Sequence, residues 1–200
     1  TSVQGEQVIH RNQVRADRPI NISFIGSDTG LVNINSGRDV TLLGSILNQS
    51  GSTSITTGGQ LLQSSDQVVV AARDLTLQAG YGIGNDGKGF AVQVGNTLSA
   101  ASTQGDLVLR ALGGGVNLSK LESGRGNISL SAQGNITAGN GVTIKGHAIN
   151  LQSSHGSIGS SGSLINIDTG YSTGAMAGAA ALNAGAVGGI FLNEVSGDLA

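Results

Sequence analysis

No cysteine occurs in this chain, so disulfides and cysteine-based zinc sites are excluded. That absence suits a cytosolic protein and equally a very large secreted one that must stay unfolded during export. Proline occurs once, at Pro19, and the aromatic residues are Phe24, Tyr81, Phe90, Tyr171 and Phe191 alone. A core with so few rings has to be thin and filled by Val, Ile, Leu and Ala, which a coil stacked on itself achieves and a thick globule does not. Charge is scarce as well, at 11% of residues against roughly 25% in an ordinary soluble domain. The net charge is −2, and no basic stretch is denser than Arg11, Arg15 and Arg18. Nucleic acid is therefore not expected as a partner, because phosphate binding needs clustered Lys and Arg. No apolar run reaches membrane-spanning length, and residues 1–20 are polar, unlike a signal peptide. The chain starts without Met and stops just after Gly197-Asp198-Leu199, as a piece cut from a longer protein would.

What the chain does have is 34 glycines, abundant Ser, Thr, Asn and Gln, and 38% hydrophobic residues in regular alternation, which argues for order. A short pattern recurs: Gly and polar residues, then two aliphatics separated by one polar residue. It reads Gly37-Arg38-Asp39-Val40-Thr41-Leu42, Gly105-Asp106-Leu107-Val108-Leu109, Gly126-Asn127-Ile128-Ser129-Leu130 and Gly146-His147-Ala148-Ile149-Asn150-Leu151. Arg73-Asp74-Leu75-Thr76-Leu77 repeats it without the glycine. Aliphatics at i and i+2 make a strand with one buried face, and the Gly-polar lead-in makes a turn.

Leu107, Ile128 and Ile149 are spaced by 21 residues, and three aliphatic clusters fall within each period, as in Ile128/Leu130, Ile136 and Val142/Ile144. Three short strands per period predict an all-β fold, a right-handed parallel β-helix (β-solenoid) with roughly three short strands per coil. About nine coils at 4.8 Å would make a rod on the order of 40 Å long. A longer repeat overlies the short one: Val70–Gly84 matches Ile144–Gly159, Leu98 matches Leu182, and Gly105–Leu109 matches Gly188–Leu192. Residues 37–200 read as β-helix repeats, with an Ala/Gly-rich insertion at 171–188 for which helix, loop and extended coil all stay open. Residues 1–36, with Glu6, Arg11, Arg15, Asp17, Arg18 and Pro19, read as irregular or edge coils of the same solenoid.

Several residues invite chemistry. Asp39, Asp74 and Asp106 occupy similar strand-entry positions and could line one edge of the rod, where parallel β-helical polysaccharide lyases and hydrolases gather their carboxylates. Arg38, Arg73 and Arg110 lie close by, so charge-compensated surface ladders account for them without catalysis. Gly82-Ile-Gly-Asn-Asp86-Gly looks like one calcium-binding turn, yet the equivalent Gly156–Ser161 has no carboxylate to stack on it, which favours a plain tight turn. His10, His147 and His155 lack metal-ligand spacing. Thr53, Thr56 and Thr57 do not keep the register that an ice-binding face needs. Asn127, Asn135 and Asn150 suit internal amide ladders. Tyr81 and Tyr171 are the candidates for an exposed aromatic platform. None of these earns a catalytic, cofactor or metal assignment, and the chain is not expected to be an enzyme.

Leu43-Gly-Ser-Ile46-Leu-Asn48, Gly51-Ser-Thr-Ser-Ile55-Thr56, the steps Ile83-Gly84 and Ile158-Gly159, and Gly189–Leu199 together resemble the repeats of large filamentous-haemagglutinin-like adhesins of the two-partner secretion type. The resemblance covers residues 20–200 and is one of repeat style. It implies a right-handed β-helical fibre on a bacterial surface, secreted through an outer-membrane partner and used in attachment or biofilm. Surface glycans or receptors on host or neighbouring cells would be its partners. The Asn-Pro motifs usual in the secretion domain are missing, which fits an internal segment of the shaft. End-to-end or lateral self-association is expected, because a cut β-helix exposes unpaired strand edges. A β-helical carbohydrate-active enzyme or a glycan-binding module is the alternative.

Overall fold

A computed structural model of the chain describes residues 20–24 (backbone only), 30–84, 87–174 and 180–196. Among them are fifteen β-strands and no helix: β1 (Ile20–Phe24), β2 (Leu31–Ser36), β3 (Val40–Thr57), β4 (Leu61–Gln63), β5 (Val70–Ala79), β6 (Phe90–Ser102), β7 (Leu107–Ala111), β8 (Val116–Ser123), β9 (Ile128–Ala132), β10 (Ile136–Ala138), β11 (Thr143–Gly146), β12 (Ala148–Ser153), β13 (Ile165–Thr169), β14 (Ala181–Ala186) and β15 (Leu192–Glu194). Every strand-to-strand pairing is parallel, and each joins one coil to the next. The protein is a parallel β-solenoid, as the 21-residue spacing predicts.

Three sides can be followed along the stack. On the first side the rungs are Ile20, Val40, Leu61, Ile83, Leu107, Ile128, Ile149 and Leu182. The second carries Val116, Ile136, Ile158 and Ile190. The third carries Ile34, Ile55, Leu77, Ala100, Leu121, Ile144 and Ile167, with Glu194 on the next rung. Strand alternation sends the side chains of Val40 to Ile149, Val116 to Ile158 and Ile55 to Ile167 inward, so β7, β9 and β13 each read buried, half-buried, buried along their length, whereas Ile190 at the end of its column is exposed. A fully buried Leu or Ile contributes about 1.5–3 kcal/mol. The core is one continuous column of such residues, and Phe90 is the largest fully buried side chain in it.

Eight rungs are present on the first side among the described residues, from Ile20 to Leu182. Corners and excursions lengthen several coils past 21 residues: Ile83 to Leu107 takes 24, and Ile149 to Leu182 takes 33. Within the Ala/Gly-rich segment Ala181–Ala186 is strand, since β14 pairs with β12 from Ala148↔Ala181 to Ser153↔Ala186.

The two halves of the long repeat do share a local structure. Ile83 bridges Leu107 and Phe90 pairs with Leu109, while Ile158 bridges Ile190 and Ile165 pairs with Leu192. Gly84 (φ 66°) and Gly159 (φ 69°) open both excursions in the left-handed region that suits glycine. However, Ile83 lies on the first side and Ile158 on the second. The repeat has moved on by one side, so it is not a whole number of coils.

Glycines at the corners are required mainly for closeness. A Cβ on Gly58 would stand 2.7 Å from the Gly37 carbonyl oxygen, and one on Gly126 would stand 2.6 Å from the Gly105 carbonyl carbon. An inward polar residue, Gln63, completes the ladder where Gly84–Gly89 leaves the coil. Its Nε2 donates to Ala91 O (2.9 Å) and its Oε1 accepts from Ala91 N–H (2.7 Å).

Candidate functional site

The carboxylate row does not form. Asp39 and Asp106 both precede a first-side rung, but Gln60 and Gly82 stand between them, so three coil spacings, about 14 Å, separate them. That exceeds the roughly 5–9.5 Å over which paired carboxyl groups act on a glycosidic bond. Asp74 is on the third side, paired with Ser52 and Thr97. The Arg73–Leu77 copy of the short pattern therefore enters a different side of the rod.

Each carboxylate accepts hydrogen bonds from the next coil. Asp39 Oδ1 accepts from Gln60 N–H (2.7 Å), and Asp106 Oδ1 from Asn127 N–H (2.7 Å). Asp74 Oδ1 accepts from Asn96 Nδ2 (2.7 Å) and Thr97 Oγ1 (3.0 Å), and its Oδ2 from Arg73 Nε (2.8 Å). The Arg73 hydrogen bond, followed by those from Asn96 and Thr97, holds the Asp74 carboxyl below the usual carboxylate range. Among the described residues the expected Arg–Asp compensation is an ion pair at Arg73–Asp74 only.

The asparagines also bridge coils, but from the outside. Asn127 Oδ1 accepts from Ala148 N–H (3.2 Å), Asn135 Oδ1 from Ser157 N–H (2.8 Å), and Asn150 Nδ2 donates to Ser129 Oγ (3.4 Å). They occupy three different columns and make no internal ladder. The buried asparagine is Asn48, whose Nδ2 donates to Gly30 O and Ser52 O, both at 3.0 Å. Thr53 and Thr57 point inward, at 1% and 3% exposure, which leaves no flat threonine face there.

Of the calcium-like turn, Asn85 and Asp86 lie outside the described residues, as does His10. His155 is exposed, with Nδ1 2.9 Å from Ser154 Oγ, and both ring nitrogens of His147 are buried without a partner. No cluster of three His, Asp or Glu able to hold a metal occurs among the described residues.

Tyr81 is exposed, whereas Tyr171 is tied down: its hydroxyl donates to Glu122 Oε1 (3.2 Å), and Lys145 Nζ stands 5.2 Å from its ring centre. Burial, then the Glu122 charge, pushes the Tyr171 hydroxyl above its ordinary pKa. Thr173 N–H and Oγ1 both bond Gly124 O, so residues 171–174 lap back over neighbouring coils. The two tyrosines belong to different coils and form no joint platform.

A groove of about 350 Å³ lies where β7, β9 and β12 reach their corner. The register Arg110↔Ser131↔Gln152 sets three outward side chains on successive rungs, and Leu112, Gln133 and Ser154 follow at the turns. Buried Ala111, Ala132 and Ser153 form the floor. Gln133 Oε1 accepts from Gly113 N–H (3.0 Å), and Gln152 Nε2 donates to Asn150 Oδ1 (3.1 Å). Arg110 Nη2 donates to Asp66 O at 3.4 Å, and its Nε is buried with no acceptor. The groove holds a cation, amides and hydroxyls but no carboxylate, which is equipment for binding and not for acid–base chemistry. Extending the 21-residue spacing from 110 to 131 and 152 would have found it; each residue alone reads as ordinary surface.

Comparison of the chain with protein-family models, with curated proteins and with solved structures finds no match in any of the three.

Proposed function

We propose that this chain is a shaft segment of a giant secreted cell-surface adhesin that holds a cell to a host, a neighbouring cell or a biofilm. The observation that carries this reading is the run of parallel ladders from β1 to β15, reinforced by side chains that accept N–H groups one coil on. Those bonds point along the stack. A pull on the ends loads many of them together at every interface, a property useful in a fibre. Asp39, Asp74 and Asp106 are spread along the rod and engaged in this stapling.

In this role the Ser, Thr, Asn and Gln surface is hydrated and meets surface glycans or receptors through weak contacts repeated over many coils, so that strength comes from number. An outer-membrane secretion partner exports the parent protein, and exposed ladder edges favour end-to-end association.

Antibodies raised against residues 30–196 should decorate fibres on the outside of the producing bacterium when viewed by immunogold electron microscopy. Label confined to the cytoplasm would overturn the proposal. So would release of shortened or unsaturated products when the purified chain is incubated with a panel of polysaccharides, which would favour the enzyme alternative.

A further inference from the structure

The corner groove contains a cation, Arg110, that forms no ion pair within 4 Å among the described residues. Arg73 faces Asp74 at 2.8 Å and Lys120 faces Glu122 at 3.5 Å. Arg110 has no carboxylate within 4 Å among the described residues, although the residue whose carbonyl it bonds is Asp66. Its one hydrogen bond is a long one to a backbone oxygen, and its Nε has lost water without gaining an acceptor. A guanidinium is a planar fork matched to two oxygens of one carboxylate, and here that demand is unmet.

The neighbours of Arg110 narrow the class of ligand. Ser131 and Gln152 on the next two rungs, with Gln133 and Ser154 at the turns, can each donate and accept. Coil spacing of about 4.8 Å sets them out at a regular interval along the axis, as hydroxyls are set out along an extended saccharide. No aromatic ring lines the groove, so recognition rests on charge and hydrogen bonds and not on stacking.

We propose that this groove binds a linear saccharide bearing a carboxylate. Arg110 takes the carboxylate through its terminal Nη groups, and Ser131, Gln133, Gln152 and Ser154 take sugar hydroxyls. The site deepens the glycan-contact part of the function proposed above and gives it a location and a charge preference. Uronic acids and sialic acids share the required group, and the experiment separates them.

Isotope-labelled protein is titrated in low salt with trigalacturonate and with sialyllactose, each beside its uncharged counterpart, methyl-esterified trigalacturonate and lactose. Saturable shifts are expected at the Arg110 Nε–H and at the Gln133 and Gln152 side-chain amides with at least one acidic sugar. The neutral counterpart should bind roughly tenfold more weakly, the size of one charge-assisted contact. Arg110→Gln should lose a similar factor while the rest of its spectrum stays in place. Arg110→Lys, which keeps the charge and loses the fork, should fall between the two and serves if Arg110→Gln does not fold. Equal binding of neutral and acidic sugars, undiminished binding by both variants, or no shift with either acidic sugar would each overturn the proposal. None of these outcomes bears on where the chain is displayed, so the immunogold result stands or falls separately.

Discussion

An aspartate in front of a strand often serves as a candidate acid, but at Asp39 and Asp106 it is a splice between coils. The next coil brings a corner N–H to within 2.7 Å of each carboxylate. The letters Gly-x-Asp and Gly-Asp mark the turn, and the 21-residue spacing marks the partner, so this role is legible once the spacing is counted. Gln63 is not legible in that way. It sits in Leu61-Leu62-Gln63 as a polar residue at an inward position, and nothing local shows that it replaces a missing rung 28 residues further on. Gln63→Ala would leave the Ala91 N–H and C=O unpaired in the core, at about 1–3 kcal/mol for each stranded group. A loss of about 2–4 kcal/mol in unfolding free energy is expected, read from urea denaturation. A loss below about 0.5 kcal/mol would show that water replaces the amide.

At the scale of strands and corners, alternating aliphatics specify that a strand enters and which face it buries, because i and i+2 point the same way. They do not specify which side of the coil it lies on. Arg73-Asp74-Leu75 and Gly105-Asp106-Leu107 look alike and lie on different sides, since the side depends on how many residues each corner consumes. Asn127, Asn135 and Asn150 escaped placement for the same reason. Corner glycines give a test at this scale. Gly58 and Gly37 occupy neighbouring corners, but a Cβ on Gly58 meets the Gly37 carbonyl oxygen at 2.7 Å, whereas one on Gly37 meets nothing within 4 Å. Gly58→Ala should therefore destabilise by about 1–3 kcal/mol, as forced overpacking does. Gly37→Ala should stay within about 0.5 kcal/mol of the parent. Thermal melts of the two variants side by side decide it, and equal shifts would mean that the coils can part without penalty.

For the whole molecule, stability is shared between neighbours, as in any stack of repeats. A coil in the middle is held from both sides; the first and last described coils have a described neighbour on one side. Amide hydrogen exchange should be slowest around Leu77, Leu98 and Leu121 and grow faster toward β2 on one end and β14 and β15 on the other. Uniform protection along the chain would point instead to a single cooperative unit. The third-side column runs aliphatic from Ile34 to Ile167 and then meets Glu194, whose Oε1 accepts from Thr169 N–H at 2.9 Å. No alternation rule flags that position, because Leu192 and Glu194 keep the i, i+2 spacing while the second of the pair is charged.

The step of the long repeat from one side to the next sets how a longer array of such repeats would present itself. Had the unit closed on a whole number of coils, any feature written once per repeat would line up along a single seam. Because each copy begins one side further on, the same feature would instead wind around the rod like the thread of a bolt. A fibre built in that way has no preferred back or front, and a surface approaching from any direction meets an equivalent patch within a few repeats.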